Sequence, residues 1–416
     1  MSLRSTAGRT FSSLANPNYR KFFIGQSTSL VGTWMQSTAQ SWLVLVLTHS
    51  ATAIGVVVAL QTLPVLLLGP YGGVVADRVD KRRLLIVLQS LMAVQAAVLA
   101  TFTLLHDATY LDVCVLAVVL GLNNSFENPS RQAFLLEMVG SSDLRNAVSL
   151  NSTMNNAARA VGPALAGILI AAVGEGWCFV LNAVSFVAVV GSLVAMDRTT
   201  LKPSPAATRE RGQLRAGFGY VARTPALLIP LLMMGLVGTF AYEFQVTLPV
   251  AAADVFHGGS RAYGALVTSM GVGAVVGGLV SATRGRIGIR AMMISSSIFG
   301  VVLTFASVAP LIAIEFVALA MVGFASVSFL SMANSTLQLA SDPAMRGRVM
   351  ALWAVAFMGS TPIGGPLVGL ITAHFGARVG LGVGALSCFL AASIGFTVVQ
   401  RRASTLSADG LPSATD

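Results

Sequence analysis

Charge is what this chain has least of. Only 10% of its 416 residues are charged and 55% are hydrophobic, whereas about a quarter of a soluble domain is charged. A mean hydropathy of +0.78 points the same way, and a soluble globular fold is excluded. Acids are scarcer still, 16 against 26 Lys and Arg, for a formal charge of +10. The basic residues fall at the ends of apolar runs rather than on one face of a polar domain, which excludes a nucleic-acid partner. Cysteine is nearly absent. Cys114, Cys178 and Cys388 are odd in number and lie inside apolar runs, so they make neither a disulfide framework nor a metal site. They read as packing residues. His49, His106, His257 and His374 all sit near breaks between runs and join no cluster with metal spacing, so the chain is not expected to be an enzyme. It has no Gly-x-x-x-x-Gly-Lys-(Ser/Thr) loop, which leaves an ion gradient rather than ATP as the driver, with no cofactor.

What the chain does have is long apolar runs. A helix rises about 1.5 Å per residue, so roughly 20 residues cross a bilayer. Short polar breaks set off twelve candidate spans near 20–47, 52–76, 84–105, 111–139, 147–173, 177–196, 226–253, 261–283, 291–309, 311–340, 348–373 and 378–399. The longest polar stretch, Asp197 to Thr224, carries Arg198, Lys202, Arg209, Arg211, Arg215 and Arg223 together with Pro203 and Pro205. It divides the chain into six-helix bundles at 20–196 and 226–399, joined by a linker at 197–225 and flanked by tails at 1–19 and 400–416. The start of the chain has serines and arginines but no acids through Asn18 and no apolar signal core, so it reads as a tail rather than a targeting segment.

Placing the N-terminus inside puts 22 of the 26 basic residues on that side, and only Arg261 and Arg378 on the other. The excess of basic residues in the connecting segments therefore predicts that both termini are cytoplasmic. The two halves also repeat. Arg145 precedes Gly162-Pro163 by 17 residues, and Arg348 precedes Gly365-Pro366 by 17. Gly167 and Gly369 follow, and the spans end near Gly174 and Gly376. Parallel halves related by an axis along the membrane normal would produce this pattern.

The densest charge cluster is Gly73-Val-Val-Ala-Asp-Arg-Val-Asp-Lys-Arg-Arg83, between the second and third spans. Its pattern, Gly-x-x-Ala-Asp-Arg-x-x-(Lys/Arg)-(Lys/Arg), resembles the signature loop of the major facilitator superfamily. The resemblance implies a cytoplasmic gate built from Gly73, Asp77, Arg78, Lys81, Arg82 and Arg83. Asp77 would bind the N-terminus of a neighbouring helix, or an arginine, in one state only. A solvated hairpin that merely sets topology is the plain alternative. A second copy, Gly278 to Arg290, has Ala282 where the first has Asp77, and relatives often carry glycine where Asp80 stands. Gly162, Pro163 and Gly167 resemble the Gly-Pro-x-x-(Gly/Ala)-Gly motif of the antiporter branch, which is associated with export. Tight helix packing would account for them as well. The stretches "LANPNYRKFFIGQSTSLVGTWMQ" and "NPSRQAFLLEMVG" narrow the resemblance to a branch that includes bacterial enterobactin-type siderophore exporters and macrolide-efflux proteins. It runs from about Leu14 to Arg401. Some members of that branch carry an acid where Thr33 stands.

Charge inside a span is costly, so it should face a cavity or a partner. Asn123, Glu127 and Arg131 form one stripe at helical spacing, and Asn151, Asn155 and Arg159 form another. Glu127 and Arg131 stand four apart in the favourable order for an in-helix pair. Glu127 and Arg159 fall at equal expected depth, which allows a pair across helices. Glu127 is therefore expected to couple proton flow by exchanging between the two arginines, its protonation releasing one of them, with Glu243 as the next candidate. Glu243 is the deep acid of the second half, while Glu315 is placed near the outer surface. Trp34 and Trp42 are candidates for a cavity wall, Trp177 for an interface anchor, and Trp353 completes the set. The Gly-rich run Gly271 to Gly278 reads as close helix contact rather than a nucleotide loop.

The expectation is an all-α membrane protein of twelve helices in two pseudo-symmetric halves. It would be a monomer in the bacterial inner membrane that exports a small organic compound, of drug or siderophore type, by proton-coupled alternating access. An importer or facilitator of the same fold, or a membrane sensor that binds a ligand without moving it, is the alternative.

Overall fold

The breaks between apolar runs become helix ends because polar residues at those points cap free backbone groups. The computed structural model describes residues 12–202, 213–283, 288–342 and 345–408, which are helical with no strand among them. Asn16 accepts the N–H groups of Asn18 and Tyr19 and so starts α1 (Pro17–Thr48), whose first residue is proline. Ser50 caps α2 (Ala51–Arg78), and Asp80 caps α3 (Lys81–Leu104) by accepting Arg83 N–H at 3.0 Å. The Asp80 that departs from the family pattern is thus a helix cap, and the turn stays short. Thr109 and Asp112 form a reciprocal capping box at the start of the next helix.

The helical stretch from Tyr110 to Val173 is broken at Gly140, whose φ 74° and ψ 177° make a corner only glycine turns without strain. It therefore makes two arms, α4 (110–139) and α5 (141–173). A Cβ on Gly140 would also meet the Lys202 amine at 2.9 Å. The rest are α6 (Gly176–Val194), α7 (Pro225–Ala241 continued by Phe244–Val250 and a π turn Ala251–Val255), α8 (Ser260–Thr283), α9 (Ile289–Ser307), α10 (Ile312–Ala340), α11 (Arg346–Met358 and Thr361–Phe375) and α12 (Ala377–Ala408). A linker helix, Gln213–Arg223, precedes α7.

By length and apolar composition, 10 described helical segments are able to cross a membrane. The 64-residue one supplies both α4 and α5. The twelfth crossing is α1, which is less apolar because it buries Gln26, Gln36 and Gln40. Large apolar residues such as Leu67, Val94, Ile168, Val184 and Leu279 stay exposed on the outer faces, as lipid-facing helices require.

Three features differ from the sequence reading. α7 breaks at Tyr242–Glu243, and α11 breaks at Gly359–Ser360, where Pro362 near the start of the second piece has no N–H to continue the ladder. α12 runs on to Ala408, past the expected end of the span, with neither glycine nor proline between Val399 and Ala408. Pro203, Pro205, Arg209, Arg211, Ala282 as a side chain, Arg284 and Arg286 lie outside the described residues.

The repeat is visible in the backbone. α5 ends at Gly174 (φ 93°, ψ 163°), which donates to Ile170 O, and α11 ends at Gly376 (φ 86°, ψ 164°), which donates to Thr372 O. Each half has its own apolar core, but the core under α1 and α2 also takes in Val246, Val250 and Ala251 of α7 and Ala377 of α12. All these added residues lie at the end opposite the basic turns, here called the far end.

Candidate substrate path and gate

The small residues of α5 and α11 bring the halves together. A Cβ on Gly162 would lie 2.6 Å from Trp34 Cβ and 2.8 Å from Val31 O, so α5 rides directly on α1. A Cβ on Gly167 would lie 2.9 Å from Gly264 Cα, and one on Gly264 would lie 2.7 Å from Pro163 O, so α5 also meets α8 without side chains between them. The partner seam is equivalent. Gly365 abuts the Gly55 carbonyl, and a Cβ on Gly369 would lie 2.7 Å from Ala51 O. Gly271 packs on Ala160, and Gly273 and Gly277 pack on Ala320 and Phe324, so the glycine-rich run of α8 serves close helix contact. Trp42 stacks on Tyr263 across the same boundary, with centroids 6.1 Å apart. These contacts crowd toward the far end. Nearer the middle of the helices, Leu66 of α2 meets Gly359 of α11.

Inside α1 to α4, α6 and α7 lies a cavity of about 190 Å³. Gln36, Gln40, Gln61, Asn124, Asn182 and Gln245 line it, with Trp34 and Phe186, and none of its lining residues is charged. Its amides form relays. Asn182 donates to Gln36 Oε1 at 2.7 Å, Gln36 to Gln95 at 3.3 Å, and Gln95 to Leu116 O at 3.3 Å. Gln245 reaches across the halves to Ser37 Oγ at 2.8 Å. Sequence reasoning missed this cavity, because six amides on five helices carry no local spacing signal.

Of the two arginines open to Glu127, Arg131 is its partner in this conformation. Glu127 Oε1 accepts from Arg131 Nε at 3.0 Å, four residues on, and from Gln89 Nε2 at 3.2 Å. Arg131 also donates to Asn128, and Asn123 donates to Leu88 O at 2.9 Å. Arg159 does not join them. It lies three residues before Gly162, so it shares the face that rides on α1, and its Cζ sits 4.8 Å from the Trp34 ring centroid. Its Nε is buried with no acceptor. A cation over tryptophan gains roughly 0.5–2 kcal/mol, and a central charge costs about 2.5–3.5 kcal/mol on insertion scales. The ring alone offsets only part of that cost. Asn155, one turn away, donates to Asn151 O at 3.3 Å.

Glu243 is 4% exposed, and its Oε1 has no partner. It occupies the break in α7, and a Cβ on Gly364 would lie 2.8 Å from Oε1 and one on Gly365 3.6 Å from Oε2. An acid therefore sits behind the glycine seam of α11 and α2. Glu315 does lie at the far end, but it is 1% exposed rather than at the surface, and neither carboxylate oxygen is paired. Trp177 is 45% exposed at the far end, while Trp353 is buried and stacks on Phe357. The cysteines are free, with Cys178 and Cys388 buried and Cys114 half-buried.

The basic loop divides in two. Lys81 is paired with Glu137 of α4 at 2.8 Å, and Arg82 donates to Leu193 O at 2.7 Å and Val194 O at 3.0 Å, holding the end of α6. Both are buried within the first half. Arg83 makes an exposed pair with Asp80. Gly73 is buried, but its neighbour Gly72 makes the closest approach, to the Ser125 carbonyl. Asp77 is half-buried and Arg78 exposed, and neither has a hydrogen-bond or ion-pair partner among the described residues.

Twelve described crossings in two repeated halves, with glycine seams between them and a polar cavity within, have the architecture of a membrane transporter of the major facilitator type. A family model described as a transmembrane secretion effector matches residues 8–413, and the chain belongs to that family. It is 27% identical over 363 residues to a staphyloferrin A transporter of Staphylococcus aureus, a match that covers 86% of this chain and 90% of that one. It is 24% identical over 358 residues to the enterobactin exporter EntS of Escherichia coli, covering 85% of each chain. Its fold is similar to that of a bacterial homolog to the human lysosomal transporter Spinster, in an inward-facing and unoccupied conformation. That likeness has TM-score 0.73 at 12% identity and covers 92% of this chain and 97% of that one. The nucleoside transporter NupG gives TM-score 0.73 at 12% identity, covering 91% of this chain and 98% of that one.

Proposed function

We propose that this protein exports a small organic compound across the bacterial inner membrane by alternating access, driven by inward proton flow. The basic end faces the cytoplasm, as the distribution of Lys and Arg favours. The structure is then the inward-facing state, with the far end sealed by the α5–α8 and α2–α11 seams.

The observation that carries proton coupling is the position of Glu243. It lies unpaired in a break of α7, against the α11 glycines that close on Gly55 of α2. When that seam opens, the carboxyl passes from packed glycine backbone to water. A titratable group whose hydration changes with conformation binds protons differently in the two states, which links proton binding to the opening. The amide cavity holds one ring-sized portion of a substrate. The names of the staphyloferrin A and enterobactin relatives support a siderophore-type compound.

The test is accumulation in inverted membrane vesicles energised to an acidic interior. Uptake that collapses with a protonophore supports export. Proton-dependent accumulation in whole cells, with none in inverted vesicles, makes the protein an importer. Growth of a deletion strain across a compound panel selects the substrate.

A further inference from the structure

Among the described residues Arg159 has no counter-charge, and it lies not in the lining of the neutral cavity but against Trp34, which is part of that lining. Its Nε–H is buried and has no acceptor, while the residue as a whole keeps part of its surface open. Its described neighbours are the face of Trp34, which also forms part of the cavity wall, and Tyr242 at the break of α7, neither of which carries a counter-charge. The acids that could satisfy it are otherwise placed. Glu127 is held by Arg131 and Gln89, and Glu243 faces the glycines of α11. No carboxylate lines the cavity, so nothing in it repels an anion or competes for the guanidinium.

We infer that Arg159, stacked on the cavity-wall Trp34, is the recognition point for an acidic group of the substrate, which makes the transported compound an organic anion. The inference deepens the proposed function and rests on the chain being a transporter with this cavity as its substrate site. A guanidinium offers several N–H donors in a planar fork that fits a carboxylate, and in a desolvated site such a contact is charge-assisted. The neutral amides of Gln36, Gln61 and Asn182 then contact the uncharged remainder. Binding relieves the unpaired charge, so an occupied cavity is more comfortable than an empty one for the half that carries it.

The experiment is equilibrium binding to the full chain in lipid nanodiscs, with 2-naphthoate and 2-naphthamide as a matched charged and neutral pair. The wild type should prefer the carboxylate by about tenfold or more, the size expected of one charge-assisted contact. Arg159→Gln should erase the preference and Arg159→Lys should keep part of it. A second variant leaves Arg159 in place. Asn155→Asp puts a carboxylate four residues before it on the same helix, neutralises it internally, and should also erase the preference. Equal binding of the two probes by the wild type, or none, overturns the inference, as does a preference that survives both Arg159→Gln and Asn155→Asp. Binding is read without any gradient, so its failure leaves direction and proton coupling to the vesicle assay.

Discussion

Lys81 Nζ lies 2.8 Å from Glu137 Oε1, and the side chains are 7% and 12% exposed. With Arg82 on the last carbonyls of α6, this pair ties the α2–α3 turn to α4 and α6 inside one half. Those two basic residues therefore hold the half together, rather than opening and closing against the other half. Removing one partner of a buried pair leaves the other charge uncompensated, at roughly 3–5 kcal/mol. Glu137→Gln should lower the thermal unfolding temperature of the purified protein by several degrees. Arg83→Gln, which breaks only an exposed pair worth about 0–1 kcal/mol, should leave it nearly unchanged. Equal stability of the two variants would refute this division of the loop.

Asp77 has no hydrogen-bond or ion-pair partner among the described residues in this conformation, whose glycine seams between the halves lie toward the far end. Its charge is then available for the opposite state, in which α2 closes on α11. Asp77→Asn keeps the shape and should keep abundance and unfolding temperature. It should cut transport by at least about tenfold, through loss of a charge-assisted contact made in one state only. Wild-type transport by Asp77→Asn would reduce the loop to a topology signal.

Apolar runs and the short polar breaks between them made the twelve crossings legible because a bilayer imposes length and composition on each one separately. The repeat was legible through Gly162-Pro163 and Gly365-Pro366, since close backbone approach admits few residue types. The breaks at Tyr242–Glu243 and Gly359–Ser360 were not, although Glu243 and the run Gly359-Ser360-Thr361-Pro362 mark them, because each lies inside a run long enough to cross as a single helix. Nor was the choice of partner for Arg159. Depth alone put it level with Glu127, but which helix its face meets is decided by Gly162 riding on α1. The α1 to α7 cavity was hidden for the same reason, since tertiary packing gathers its amides from separate helices.

The seam between α5 and α8 has no room for a side chain at Gly167. A Cβ there would lie 2.9 Å from Gly264 Cα and 3.0 Å from Ser260 O, which is backbone that cannot swing away. Gly167→Val should hold the halves apart at the far end and bias the protein away from the closed-seam state. Ser260 is 6% exposed, so a cysteine there, with Cys114, Cys178 and Cys388 replaced by alanine, reports the seam. Maleimide labelling of Ser260→Cys should be several-fold faster in the Gly167→Val background, and transport should fall. Unchanged labelling would mean that the seam adapts without opening.

The two deep acids differ in what surrounds them, and that difference decides which should carry the proton. Glu127 has Arg131 at 3.0 Å and Gln89 at 3.2 Å, so its charge is compensated within α3 and α4 of one half, at no boundary that must move. Glu243 Oε1 has no partner, and the carboxyl sits where α7 breaks, beside the Gly364–Gly365 backbone that seals against α2. In reconstituted vesicles with a pH-sensitive dye, substrate added to the wild type should move protons against it. Glu243→Gln should abolish that substrate-induced proton flux while substrate binding stays within about twofold, since the side chain keeps its size and does not line the amide cavity. Glu127→Gln should keep the flux and lose stability instead, because Arg131 is then left unpaired at a cost of roughly 3–5 kcal/mol. The opposite result, flux lost in Glu127→Gln and kept in Glu243→Gln, would move coupling to the α3–α4 pair and make exchange of Glu127 between Arg131 and Arg159 the step to look for.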